Sequence, residues 1–355
     1  MTSQSVPAVA ADPVPADAAA GLVPADVAPV PRPANSVVTA VTLAGLTLAW
    51  LALLIWSVLA TLAASTDGVL AVTETAYGLP AVIFAALLAG AGVAQAVRRA
   101  TARRLDATVL PRLLVAVAAG ALTGAVAAAA LVFGDGRGGS AVTILGWALF
   151  AGATVGGTLA GLHRWAGLLT AAGAAAGLAV AVAITARELF KGPLLELFGA
   201  GQTAASVLAA QSRIVWVSAL LAGAIAGAVA FGWLAGASRR STTRLPWPTY
   251  LVAGAAPGVL LLVAELITRV GGAELLGLAR SFSETDEAFQ AMADAGRINS
   301  ALVVLFAGSF TALICLGRTL PSRPDQADDP ADPAVPADPA VPADPAVPAG
   351  PVRAG

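Results

Sequence analysis

Ala219–Gly236 reads ALLAGAIAGAVAFGWLAG, an apolar run without a charge, notched at Gly223 and Gly227 and again at Gly232 and Gly236. Four-residue spacing places both members of each pair on one face of a helix. In a bilayer the lipid tails are as apolar as leucine side chains, so no hydrophobic drive brings helices together. Helices there associate by close van der Waals contact, and small residues four apart make the flat groove that permits it. The spacing recurs at Gly120 and Gly124, Gly152 and Gly156, Gly157 and Gly161, Gly173 and Gly177, and Gly254 and Gly258. We read these glycines as a helix-packing code of an all-α integral membrane protein and not as a ligand site.

Composition agrees. Of 355 residues, 58% are hydrophobic and 12% charged, about half the charge of a soluble domain. Mean hydropathy is +0.82. A net charge of −1 and the lack of a long basic arm exclude a nucleic-acid footprint. Cys315 is the single cysteine and His163 the single histidine. An intramolecular disulfide and a cysteine metal cage are therefore excluded, and a histidine-ligated metal or histidine proton relay is not expected. No cofactor is implied. Lys191 is the one lysine among 20 basic residues, and Ala, Val and Gly dominate. That bias points to a GC-rich bacterial genome, hence to a bacterial plasma membrane.

Three regions follow from the composition along the chain. Residues 1–35 are rich in Pro and Ala, and residues 320–355 carry the hexapeptide ADPAVP three times between Ala331 and Pro348. Both segments hold too little apolar surface to fold and are expected as disordered tails. Residues 36–319 form a polytopic helical membrane domain with eight apolar runs. These are Val37–Ala64, Leu79–Val97, Leu113–Phe133, Ala141–Leu162, Ala166–Ala186, Ile214–Ala237, Tyr250–Thr268 and Ser300–Leu316. At about 1.5 Å per residue each spans about 30 Å of hydrocarbon, the last one barely. Eight crossings are expected, with seven the nearest alternative. The first run is too long for a signal h-region and reads as an uncleaved transmembrane helix.

The connections alternate in charge. Arg98, Arg99, Arg103, Arg104 and Arg112 follow the second run, Arg164 the fourth, Arg239, Arg240 and Arg244 the sixth, and Arg318 and Arg323 the eighth. Most acids, among them Asp67, Glu74, Asp135, Glu188, Glu196, Glu274 and Glu287, lie on the opposite side. Arginine excess marks the cytoplasmic face, so both termini are expected there. The runs also read as four hairpins. Leu-Leu/Phe-Ala-Gly steps occur at Leu87–Gly90, Leu149–Gly152, Leu220–Gly223 and Leu305–Gly308, and Arg187 and Arg269 close corresponding runs as Arg213 and Arg297 open the next. Parallel repeats of this kind are common in transporters.

Two acidic-side connections are long enough to fold. Glu188–Arg213 has paired apolar residues that suit an interfacial turn or helix. In Gly271–Arg297 a capping-box-like Ser283–Asp286 and a stop at Gly296 predict a short exposed helix from Glu284 to Ala295.

Ionisable groups at membrane depth are few. Glu265, in LLLVAELITRV, is the candidate intramembrane polar site, because a carboxylate at helix depth is expensive. Arg269, four residues on, is its expected partner on the same face. Arg112 is expected to snorkel to the cytoplasmic surface. Gln95, Thr123, Thr143, Thr154, Thr158, Asn299, Ser309 and Thr311 either bond between helices or line a path. The tryptophans fall mostly near helix ends, as aromatic belts do, with Trp50 and Trp56 the deep exceptions.

Catalytic constellations are absent: there is no HExxH, no P-loop and no GxSxG elbow, and Asp135 in GDGRGGS suits a tight turn. The expectation is a non-enzymatic, transport-type permease or channel-like subunit in the lipid bilayer. It would work with other membrane subunits or with a cytoplasmic ATPase meeting Arg98–Asp106. The alternative is a non-catalytic cell-envelope accessory or scaffold protein read through its tails.

Overall fold

The structure, a computed structural model, describes residues 35–64, 68–101, 109–136, 139–162, 166–240, 245–273, 277 and 284–319. The expected tails, the connector arginines Arg103 and Arg104, the interface group His163, Arg164 and Trp165, and Ser283 lie outside the described residues. Among the described residues every regular element is a helix: α1 Asn35–Ala64, α2 Gly68–Thr101, α3 Val109–Asp135, α4 Ser140–Gly161, α5 Ala166–Leu189, α6 Lys191–Leu197, α7 Ala204–Arg240, α8 Trp247–Gly271 and α9 Glu284–Gly317. All except α6 contain a stretch long and apolar enough to cross a membrane. Large apolar side chains such as Val38, Trp56, Phe133, Trp147, Leu266 and Phe310 point outward. An apolar exterior over backbone that bonds within its own helices is what a bilayer demands of a spanning protein.

The bundle is organised around α2 and not around the Ala219–Gly236 run. Of the apolar window of α2, 72% is buried, against 33–50% for the other seven spans. It touches α1, α3, α4, α5 and α8. Pro80 lies inside α2 and removes one helix hydrogen bond, a loss that neighbouring helices make tolerable.

Glycine sets how closely the helices approach. Gly152 and Gly156 on α4 face the α2 backbone, Gly152 opposite the Ile83 carbonyl and Gly156 opposite the Leu87 carbonyl and the Ala91 nitrogen. About a quarter turn round, Gly157 and Gly161 face α3. A Cβ on Gly120 would stand 2.9 Å from the Gly157 Cα, and one on Gly124 would stand 2.7 Å from the Phe150 Cα. No side chain fits at such separations, so α4 is held backbone to backbone on two sides.

The arrangement occurs twice. Gly90 of α2 and Gly120 of α3 both meet the Ala153 carbonyl of α4; Gly227 of α7 and Gly254 of α8 both meet the Gly308 carbonyl of α9. Gly124 then reaches Phe150, three residues before Ala153, and Gly258 reaches Leu305, three residues before Gly308. The contacts do not follow the shared Leu-Phe-Ala-Gly step. In that step Gly308 matches Gly152, whereas by contact it stands where Ala153 does. Likewise Gly227, one turn beyond Gly223, stands where Gly90 does.

Several expectations change. Gly223 meets Val304 and Ala307, but Gly232 and Gly236 have nothing within 4 Å. The buried stripe of α7 runs through Ala222, Ala226, Ala230 and Leu234, and Gly232 and Gly236 fall off that stripe. The Gly173 and Gly177 pair divides between two neighbours, Gly173 against Ala256 of α8 and Gly177 against the Leu88 side chain of α2. Helix α7 begins at Ala204, well before Ile214. The predicted separate helix Glu284–Ala295 is the first part of α9, which continues through Gly296 into the final span. A glycine costs an uninterrupted helix only about 1 kcal/mol, and Gly296 is not among the positive-φ residues. The Glu188–Arg213 connection does contain a short helix, α6, which ends where Gly199 takes φ +81°, a left-handed conformation that glycine adopts without a Cβ clash.

Gly156→Ala and Gly232→Ala separate close packing from helix propensity. Gly156→Ala is expected to lower the thermal midpoint in detergent. Gly232→Ala, in open space, should leave it unchanged or raise it, since alanine is favoured over glycine in a helix by about 1 kcal/mol.

Candidate functional site

Helix α8 starts on Pro246, in an extended conformation, and has a proline within its first two positions, where a missing N–H costs nothing. Its buried face runs through Ala253, Gly254, Pro257, Gly258, Leu260, Ala264, Glu265 and Thr268. Steps of three and four carry Glu265 on this same stripe, so its carboxylate is turned into the bundle and away from lipid. Only 6% of the Glu265 side chain is exposed.

Two arginines meet it. Arg269 Nε donates to Glu265 Oε1 at 3.1 Å, from one turn further along α8. Arg297 Nε donates to Glu265 Oε2 at 3.0 Å, from α9. Each carboxylate oxygen thus accepts one charge-assisted bond from a different helix. Arg269 is 47% exposed and Arg297 27%, so the cluster grades from a buried acid to a more exposed basic rim. The neighbouring Thr268 hydroxyl donates to the Ala264 carbonyl. Helix α8 closes as the Gly272 N–H donates to the Thr268 carbonyl, with the Leu79 side chain of α2 pressed against Gly272.

Burying a carboxylate costs several kcal/mol (roughly) unless good geometry and further hydrogen bonds offset it, and an apolar replacement is often as stable. A charge retained at this depth is therefore a functional hypothesis by default. Mechanically, the cluster ties α8 to α9 through side-chain contacts alone. The glycine interface beside it, Gly254 and Gly258 against Gly308 and Leu305, lets the two backbones lie together.

Sequence reasoning paired Glu265 with Arg269 and missed Arg297. A signal was present: Arg269 closes one run and Arg297 opens the next, so a hairpin brings them side by side. The corresponding Arg187 and Arg213 share the positions but not the partners. Arg187 pairs with the adjacent Glu188, and Arg213 donates to the Phe198 carbonyl; position 183, one turn before Arg187, is alanine.

The remaining polar candidates separate by partner. The Gln95 side-chain amide crosses from α2 to the Thr170 hydroxyl of α5. Thr123, Thr143, Thr154, Thr158 and Ser309 donate to carbonyls one turn back, Thr143 to that of Gly139 just before its helix. Thr47, fully buried on α1, does the same and sits over Gly92. Trp56 lies on the outer surface, while the Trp50 indole N–H is buried with no partner among the described residues. Among the described residues no group of three His, Cys, Asp or Glu side chains gathers to hold a metal.

Arg297→Gln is expected to lower stability by about 2 kcal/mol, the scale of a hydrogen bond to a charged group. Arg269→Gln, at the more exposed side, should cost less than half as much. In a Glu265→Gln background the Arg297 effect should fall toward zero, as a double-mutant cycle by thermal unfolding in detergent would show.

Compared with known protein families, curated proteins and solved structures, the chain matches none of them. The eight membrane-length apolar helices among the described residues make it a multi-pass membrane protein.

Proposed function

We propose that this protein is a transport-type subunit, a permease or channel-like component and not an enzyme. It sits in a bacterial plasma membrane with both termini cytoplasmic, the orientation favoured by arginine excess at the ends of α2 and α7. The observation that carries the reading is the Glu265 carboxylate, buried on α8 and divided between Arg269 and Arg297 of α9. An ion pair of this kind is a poor investment in stability alone, but it suits a contact between helices that must part and rejoin.

The doubled three-helix arrangement supports the same reading. We take α2–α3–α4 and α7–α8–α9 as duplicated units, and units related in parallel are a common plan for transporters. Sparse charge at depth argues against a protein that drives transport by its own proton or ion coupling. The energy would come from a partner, such as a cytoplasmic ATPase, or the protein would conduct passively.

Reconstitution tests this directly. Proteoliposomes loaded with a mixed panel of amino acids, sugars, nucleosides and inorganic ions are sampled by mass spectrometry for solutes that leave, with any ATPase that co-purifies included. At least one solute class is expected to exit faster than from protein-free liposomes, with about a tenfold or greater change in Glu265→Gln, the size of one lost charge-assisted bond. Equal flux in both proteins would remove Glu265 from the proposal, and no flux for any class would favour the scaffold reading. That second reading rests on the threefold ADPAVP sequence, and it requires that deletion of residues 324–355 break a partner complex.

A further inference from the structure

The two halves of the chain are covered unequally. Each holds four spans, α1–α4 in one and α5 with α7–α9 in the other, so both halves begin on the same side of the membrane. Gly90 of α2 and Gly227 of α7 take the same position in the two halves. Counting from that pair, Ala85 and Ala89 fall on Ala222 and Ala226, and all four are buried. The stripe beside them differs. Phe84, Leu88, Ala91 and Gln95 of α2 are buried, while their counterparts Leu221, Ile225, Ala228 and Gly232 on α7 are exposed.

On α2 this stripe is covered by the second half. The Leu88 side chain fills the notch at Gly177 of α5, where a Cβ would stand 2.6 Å from Leu88 Cδ2. The Gln95 amide donates to the Thr170 hydroxyl of α5. That α5 surface has a counterpart on α1. Helix α1 lies on α2 as α5 lies on α7, along buried stripes that include Ala40 and Ala44 in one and Ala172 and Ala176 in the other. Matching those alanines places Gly45 at Gly177 and Ala49 at Ala181. Gly177 and Ala181 are buried, but Ala49 is exposed and Gly45 has nothing within 4 Å. The knob Ile225 and the notch Gly45 thus both stand open, one in each half.

We propose that a second copy of this chain joins them: α1 of one copy packs on α7 of the next, with Ile225 over Gly45, as α5 packs on α2 within the chain. Exposure alone fits lipid as well. What points to a second copy is that the chain itself carries the complementary surface. A neighbour in the same bilayer presents α1 in the direction that α5 has here, because both halves begin on the same side. Small residues at Gly45 and Ala49, four apart, permit the close approach on which helix association in lipid depends. Gly232 leaves a matching opening on α7 that no part of its own chain enters. Such a contact uses two different surfaces, so it builds rings or open rows and not two-fold dimers. The inference rests on the duplication taken above and not on the transport reading.

Oxidative cross-linking of the full chain in native membranes, in a Cys315→Ser background, tests the contact. Two differently tagged chains are co-expressed, one with Gly45→Cys and the other with Ile225→Cys. They should join as a mixed dimer, and neither variant expressed alone should cross-link. A chain carrying both substitutions should give a ladder of dimers, trimers and longer species, because each copy has two different contact surfaces. Leu88→Cys with Gly177→Cys should join within one chain, since these residues meet in the interface that supplies the pattern. Trp147→Cys on α4, also at an exposed position, should give no mixed dimer with Ile225→Cys. Absence of the mixed dimer while the Leu88 pair joins would overturn the second copy and leave the duplication standing. Dimers from Ile225→Cys alone would overturn the head-to-tail contact in favour of a two-fold one. Equal yields with Trp147→Cys would reduce the cross-linking to random collision and overturn it too. Failure of the Leu88 pair would remove the pattern and the proposal together.

Discussion

Helices surrounded by lipid gain nothing from hiding apolar side chains from their solvent, so their association depends on how closely the backbones approach. Helix α4 shows the consequence. Its Gly152 and Gly156 lie on α2 and its Gly157 and Gly161 lie on α3; a Cβ at Gly156 or Gly157 would overlap facing backbone, while one at Gly152 would stand 3.2 Å from the Ile83 carbonyl. Alanine completes the surfaces, with Ala85, Ala86, Ala89, Ala148 and Ala153 buried around the crossing. Many other large side chains, such as Trp56, Phe133 and Phe310, are turned outward, where a soluble protein would place its charges. Helix α2, at the centre, buries large side chains as well, Leu79, Ile83, Leu87 and Leu88 among them, so small residues set its close crossing with α4 while leucine and isoleucine fill the space around it.

The same constraint gives the charged groups their meaning. With hydroxyls bonded to carbonyls one turn back, most polar atoms in the spans are satisfied within their own helix and ask nothing of their neighbours. Glu265 cannot be satisfied that way, because a carboxylate only accepts. It needs donors from outside the backbone, and Arg269 and Arg297 supply them from two helices. Arg98 is the mirror case, a donor that reaches an orphan carbonyl at the end of α4. The Glu265 cluster joins α8 to α9 and the Arg98 bond joins α2 to α4, so each of these charges links two helices.

Much of the architecture was legible because the span signal is long and redundant: eight apolar runs lead to eight membrane-length helices. Helix ends were less so. Apolarity marks where a helix meets lipid, not where it stops, and α7 and α9 both extend into their polar flanks. Glycine spacing indicated which faces could pack but not which do. Gly223 and Gly227 lie at a crossing, while Gly232 and Gly236, with the same spacing in the same run, face open space. What decides is the buried stripe set by the neighbours, a property of three helices and not of one. Glu265 stood out as a lone acid in an apolar run and Arg269 followed from helical periodicity. Arg297 is 32 residues away, joined to Glu265 only by the folding of the hairpin.

Helices α2 and α4 meet face to face through small residues inside the membrane. A Cβ on Gly152 would stand 3.4 Å from the Ala86 Cβ, close to the separation of about 3.5–4.5 Å that a disulfide spans. The most direct measurement is oxidative cross-linking in native membranes of Ala86→Cys with Gly152→Cys, in a Cys315→Ser background. Gly232→Cys with Gly152→Cys serves as the control. Efficient intramolecular cross-linking of the first pair is expected, and none of the control. No cross-link in the first pair, or equal yields in both, would contradict it.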